Sequence, residues 1–93
     1  MDINEQIHRY IDHVRKTYHE SLWDIETQNV FAQSIKGKLD SLVASGALHS
    51  HNFSGIDFAE DRFEFSIVHV EGDTSTLNFK LDINHYHGRT SPD

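Results

Sequence analysis

The chain has 93 residues, with 8 Lys and Arg against 15 Asp and Glu, so its formal net charge is −7. That length supports one domain, since domains run to about 100–150 residues, and the 37% apolar and 11% aromatic content is enough for a core. With no cysteine there is no disulfide framework or thiolate zinc site, and the acidic balance argues against nucleic acid, which needs clustered Lys and Arg.

Ile3, Ile7, Tyr10, Ile11, Val14, Tyr18 and Leu22 recur at steps of three and four, which predicts an amphipathic helix over about residues 3–22. Asp2 and Asn4 are its candidate N-caps. The opposite face carries His8, Arg9, Asp12, His13, Arg15, Lys16 and Glu20, with Asp12 and Lys16 spaced for an ion pair. A second helix is expected over about 28–45, starting at Thr27 or Gln28, with Val30, Phe31, Ile35, Leu39, Leu42 and Val43 as its stripe. Gly46 suits a left-handed position after its last turn, with Ala47-Leu48 as the following hydrophobic contact. Gly37 lies inside this helix at a cost of about 1 kcal/mol relative to alanine, which a close helix crossing would explain.

From residue 49 the period changes to two. Ile56 and Phe58 predict a short strand over 55–58. Phe63, Phe65 and Ile67 predict a second over 62–70. Leu77, Phe79, Leu81 and Ile83 predict a third over 76–84. Glu71-Gly72-Asp73-Thr74-Ser75 is a turn of hairpin length, and 88–93 reads as a polar tail. The order is α-α-β-β-β: a single α+β domain with two N-terminal helices packed on a small antiparallel meander. Such a sheet has open edges to which another chain can add.

Little in the sequence points to catalysis. His49-Ser50-His51 and His85-Tyr86-His87 are two H-x-H pairs, each on one side of an extended chain. Together they could hold Zn²⁺ or Ni²⁺, but neither pair has an evident carboxylate to orient its rings, so exposed surface histidines are the preferred reading. Asp57, Glu60, Asp61 and Glu64 cluster without EF-hand spacing and read as a solvated turn. No nucleophile elbow or phosphate-binding glycine loop is present, so the expectation is a non-enzymatic protein without cofactor or small-molecule substrate. The aromatics Tyr10, Tyr18, Phe31, Phe53, Phe58, Phe63, Phe65 and Phe79 suit core packing, whereas Trp23, between the helices, is a candidate interface anchor. No apolar run approaches the ~20 residues of a membrane span, and Met1-Asp2-Ile3-Asn4-Glu5 is not a secretory leader, so cytoplasm or a particle assembled there is the expected setting.

Residues 8–83 resemble the C-terminal domain of contractile phage tail sheath proteins. The likeness runs from His8-Arg9-Tyr10-Ile11 through Trp23 and Val30-Phe31 to Ile35, Leu39-Asp40-Ser41-Leu42-Val43 and Gly46-Ala47-Leu48. It resumes in the two closing strands, where Leu77-Asn78-Phe79-Lys80-Leu81 stands near the family's Ile-Asn-Phe-Ile-x-Leu. The family's Glu-Pro-Asn-Asp segment is replaced by Asp24-Ile25-Glu26-Thr27-Gln28-Asn29. Sheath proteins are far longer, so the resemblance implies a baseplate, sheath-initiating or tail-terminating component of the virion.

It further implies interlocking with copies of itself or other phage structural proteins through donated strands. The expected interaction residues are Trp23, Leu77, Phe79, Leu81, Ile83, His85, Tyr86 and His87, with 85–93 reaching toward a neighbour. Two rival readings are a small acidic inhibitor or adaptor that binds a basic host protein surface, and a metal site formed if the two H-x-H pairs converge.

Overall fold

The computed structural model describes residues 2–81. Helix α1 spans Ile3–Tyr18, a single 3₁₀ turn follows at His19–Ser21, and α2 spans Ile25–Ala44. Strands β1 (Ser50–His51), β2 (Arg62–Val68) and β3 (Thr74–Lys80) form one antiparallel sheet in the order β1-β2-β3. This is the α-α-β-β-β order expected of the α+β class.

One core joins the two layers. Ile7, Ile11 and Val14 of α1 and Phe31, Ile35, Leu39 and Leu42 of α2 face Phe63, Phe65, Ile67 and Leu77 of the sheet, all buried. Phe31 is fully buried at the centre, with its ring edge-on to Phe58 at 6.1 Å and to Phe63 at 6.4 Å. The side chains of Arg62, Glu64, Thr74, Thr76, Asn78 and Lys80 alternate onto the opposite, solvated face of the sheet.

The helix boundaries move from their expected places for local reasons. α1 ends at Tyr18, four residues early, and the chain tightens into the 3₁₀ turn. The Trp23 indole N–H donates to the Glu20 carbonyl at 3.0 Å, and the Gln28 amide donates to the Leu22 carbonyl at 2.8 Å, so groups freed at the helix end are satisfied by side chains. α2 begins at Ile25, earlier than Thr27, because the Asp24 carboxylate accepts the Thr27 N–H at 3.2 Å as its N-cap. Asp2 occupies the N-cap position of α1 without a side-chain capping bond. Gly46 behaves as expected: at φ 85° it lets the Ala47 and Leu48 N–H groups return to the Leu42 carbonyl, and Leu48 is buried.

Two expectations about α2 are corrected. Val30, placed in the apolar stripe, is 46% exposed, because it sits one residue off the row formed by Phe31, Ile35, Leu39 and Leu42. No close crossing explains Gly37, since a Cβ built there meets nothing within 4 Å. Gly37→Ala is therefore expected to stabilise the protein by about 0.5–1 kcal/mol, read as a raised urea midpoint, through lower backbone entropy in the unfolded chain.

The strand expected at 55–58 is absent. The first strand is Ser50–His51, which pairs with Val68 and Ile67. Ile56 and Phe58 instead lie partly buried in a loop packed on the core. Asp57 turns that loop by accepting the Ala59 N–H at 3.0 Å on its side chain and the Glu60 N–H at 3.1 Å on its carbonyl. β2 stops at Val68 rather than 70, where a turn closed by Gly72 N–H to His69 C=O at 2.8 Å, with Gly72 at φ 104°, feeds β3. β3 begins at Thr74, and of its expected extent the residues beyond Leu81 lie outside those described.

Candidate functional site

Hydrogen-bond parity along the sheet decides which backbone groups of β3 have no partner among the described residues. Leu81 N–H donates to the Asp61 carbonyl at 2.8 Å, and His69 N–H donates to the Asp73 carbonyl at 2.7 Å. In an antiparallel ladder the bonded pairs alternate, so Phe63 with Phe79, Phe65 with Leu77, and Ile67 with Ser75 exchange the bonds between β2 and β3. Thr74, Thr76, Asn78 and Lys80 therefore aim their N–H and C=O groups away from β2, along the outer edge of the sheet. β3 pairs through seven consecutive residues without a bulge, contains no proline, and points no charge inward. These are the devices by which edges are usually blocked. In a chain of 15 carboxylates, β3 carries none.

The opposite edge is partly closed. Asn52 N–H donates to the Ser66 carbonyl at 3.1 Å, and the Asn52 side-chain oxygen accepts the Ser66 N–H at 2.7 Å, extending the two-residue β1 by one pair.

Beside the free edge, α1 roofs the inner face of β3. Asn4 Nδ2 donates to Ser75 Oγ at 3.3 Å, and the His8 ring lies 4.7 Å from the ring of Phe79. His8, Arg9, Asp12 and Phe79 line a recess of about 280 Å³. Its charges are internally paired: Arg9 with Glu5 at 3.2 Å, and Asp12 with Arg15 at 2.8 Å and Lys16 at 3.3 Å. The Arg15 guanidinium, then the Lys16 ammonium, hold the Asp12 carboxyl below the ordinary carboxylate range.

The interaction residues expected in the last strand and the tail divide three ways. Leu77 and Leu81 are core side chains whose backbones are taken by β2 and Asp61, so they support the edge from behind rather than presenting it. Phe79 is half-buried and borders the recess. Ile83, His85, Tyr86 and His87 lie outside the described residues. The residues that carry the free edge, Thr74, Thr76, Asn78 and Lys80, were not singled out from sequence. Their only signal was that they alternate with the apolar positions.

The expectation of an exposed His49/His51 pair without carboxylate partners is corrected. His49 is exposed, but the His51 side chain is only 9% exposed. Its Nε2 lies 2.7 Å from Asp40 Oδ1, and its Nδ1 accepts the Phe53 N–H at 3.0 Å. A backbone N–H can only donate, so Nδ1 is the acceptor there and Nε2 is the nitrogen that faces Asp40. Both nitrogens are engaged, leaving none to activate a nucleophile or take a metal in this arrangement. The Lys36 ammonium at 2.8 Å, then His51, hold the Asp40 carboxyl below its ordinary range. Among the described residues no three His, Asp or Glu side chains are grouped to hold a metal ion; His85 and His87 lie outside them.

A second concavity, about 520 Å³, runs between α2 and the 53–59 loop, bordered by Ile25, Asn29, Ala32, Lys36, Ile56 and Phe58. Trp23, the expected interface anchor, is 55% exposed. No described helix is long and apolar enough to cross a membrane. In comparison with known proteins, the chain matches no family, no curated relative and no solved structure.

Proposed function

We propose that this chain is a non-enzymatic assembly protein that interlocks with neighbouring chains by accepting an extended segment along the free edge of β3. The observation that carries the reading is that edge: seven regular residues without bulge, proline or carboxylate, whose outward backbone groups meet no partner among the described residues, beside a recess. An added antiparallel strand would bond to Thr74, Thr76, Asn78 and Lys80. Its residue opposite Phe79 would fall on the inner face, with its side chain entering the recess beneath His8. The backbone supplies affinity and the recess supplies selectivity. The resemblance to the sheath C-terminal domain makes a contractile phage tail the assembly in question, built in the host cytoplasm and carried in the virion, with copies of this chain or other tail proteins as neighbours.

Asn78→Pro tests the reading. It deletes one outward donor and leaves the ladder to β2 intact, because Asn78 points away from β2. The expected result is unchanged circular dichroism and unchanged amide protection at Leu77 and Phe79, with loss of the rings or tubes that the proposal expects of the wild type in negative-stain micrographs. Normal assembly by a folded Asn78→Pro protein would remove the edge from the proposal.

A further inference from the structure

We infer that, before assembly, the β3 edge is held by a second copy of this chain, joined antiparallel, β3 to β3, about a two-fold axis through Leu77. The inference rests on the edge proposed above and names its occupant. Only residues that aim their backbone groups outward can exchange bonds with an added strand. Between two copies, one antiparallel register engages all four such residues of each: Thr74 opposite Lys80, and Thr76 opposite Asn78. The side chains that meet on the outer face are then hydroxyl, amide and ammonium groups, which are mutually compatible.

The charges along this side make it complementary to itself. Arg62 and Lys80 stand directly opposite on the outer face, as a non-hydrogen-bonded pair, the arrangement that brings side chains closest. Like charges so placed repel. Neither forms an ion pair among the described residues, and no carboxylate answers them: Glu64, diagonal to Lys80, and Asp61, which accepts the Leu81 N–H on its carbonyl, form none either. At the other end, where the turn enters β3, Glu71 and Asp73 are exposed and equally without an ion-pair partner among the described residues. Helix α1 has the same polarity. It runs alongside β3 in the same direction, since Asn4 meets Ser75 and His8 meets Phe79. It starts with Asp2 and with Glu5, which Arg9 answers, and ends with Arg15 and Lys16 against Asp12. This side of the molecule therefore passes from acidic to basic along its length. A two-fold through Leu77 lays each basic end along an acidic one, so that Arg62 and Lys80 meet Glu71 and Asp73 of the second copy. Two chains of net charge −7 repel in general, which selects the approach that matches opposite signs. The pair also covers an edge otherwise open to any extended chain, until a neighbour's strand replaces the second copy.

The test is sedimentation equilibrium of the whole protein over a concentration series, beside two variants whose ends carry one sign. Arg62→Glu/Lys80→Glu is acidic at both ends, and Glu71→Lys/Asp73→Lys is basic at both. All four positions are exposed, and circular dichroism verifies that the variants fold. The wild type is expected to dimerise, more weakly as salt rises. Each variant alone should dimerise about tenfold more weakly, because the two-fold repeats every mismatched contact. Mixed in equal amounts, the two variants should recover the wild-type affinity as a heterodimer, and Asn78→Pro should remain monomeric. A wild type that stays monomeric throughout, or a mixture no tighter than its components, overturns the inference. So does a dimer that survives Asn78→Pro, which puts the contact elsewhere. If the wild type is monomeric and Asn78→Pro still abolishes assembly, the edge stands and only the second copy is removed from it.

Discussion

Phe31→Ala is expected to destabilise the protein by about 3–5 kcal/mol, the range for deleting a buried aromatic ring. For a chain of 93 residues, total stability is about 5–14 kcal/mol at roughly 0.05–0.15 kcal/mol per residue, so this one change removes a large share of it. The position is decisive because Phe31 is where three parts of the molecule meet: it belongs to α2, and its ring touches Phe58 of the loop and Phe63 of β2. A cavity here cannot close without moving all three. Urea denaturation followed by circular dichroism checks the prediction. Phe31→Leu, which keeps most of the volume, should cost distinctly less. A midpoint change in Phe31→Ala worth under about 1 kcal/mol would show that the layers do not depend on this ring.

His51→Ala should cost about 1–3 kcal/mol, because it strands the N–H of the buried residue Phe53 without its acceptor. The two bonds of the imidazole can be separated. An asparagine at 51 places its side-chain oxygen where Nδ1 stood and retains the Phe53 contact, but is too short to reach Asp40. A glutamine reaches Asp40 and loses Phe53. His51→Asn should therefore stay within about 1 kcal/mol of the wild type while His51→Gln approaches His51→Ala, since the Asp40 side chain is 52% exposed and solvent weakens its share. Amide exchange at Phe53 should accelerate in His51→Ala and His51→Gln alone. The reverse ranking would make Asp40 the dominant partner.

Asp40 leaves its own mark on pH dependence. Its folded carboxyl is held down by Lys36 first and His51 second, so its contribution is fully present above the ordinary aspartate value near about 3.9 and is lost as pH falls through the lower folded value. Asp40→Asn should flatten that part of the acid limb.

The elements themselves were legible in the chain. The three- and four-residue steps from Ile7 to Val14 and from Phe31 to Leu42 placed two helices, and the alternation through Phe63-Phe65-Ile67 and Leu77-Phe79-Leu81 placed the hairpin, because each rests on the period of its own backbone. The first strand was not legible. Ser50 and His51 carry no apolar alternation, and what makes them a strand is Val68 and Ile67, distant in sequence. Ile56-Asp57-Phe58 had the alternation and is a loop, because two inward side chains can plug a core without a neighbouring strand to bond with.

The candidate site divides along the same line. Sequence alone determined a short acidic α+β chain without cysteine, an edge-bearing hairpin, and a lone Trp23 between the two helices. Only the tertiary structure decided that His51 is spent on Asp40 and Phe53, that Val30 faces out, and that the backbone groups of β3 turned away from β2 belong to Thr74, Thr76, Asn78 and Lys80. Period is a local property of the backbone and can be read from one segment. Hydrogen-bond partners and burial depend on which second segment arrives, and that is settled when the layers close.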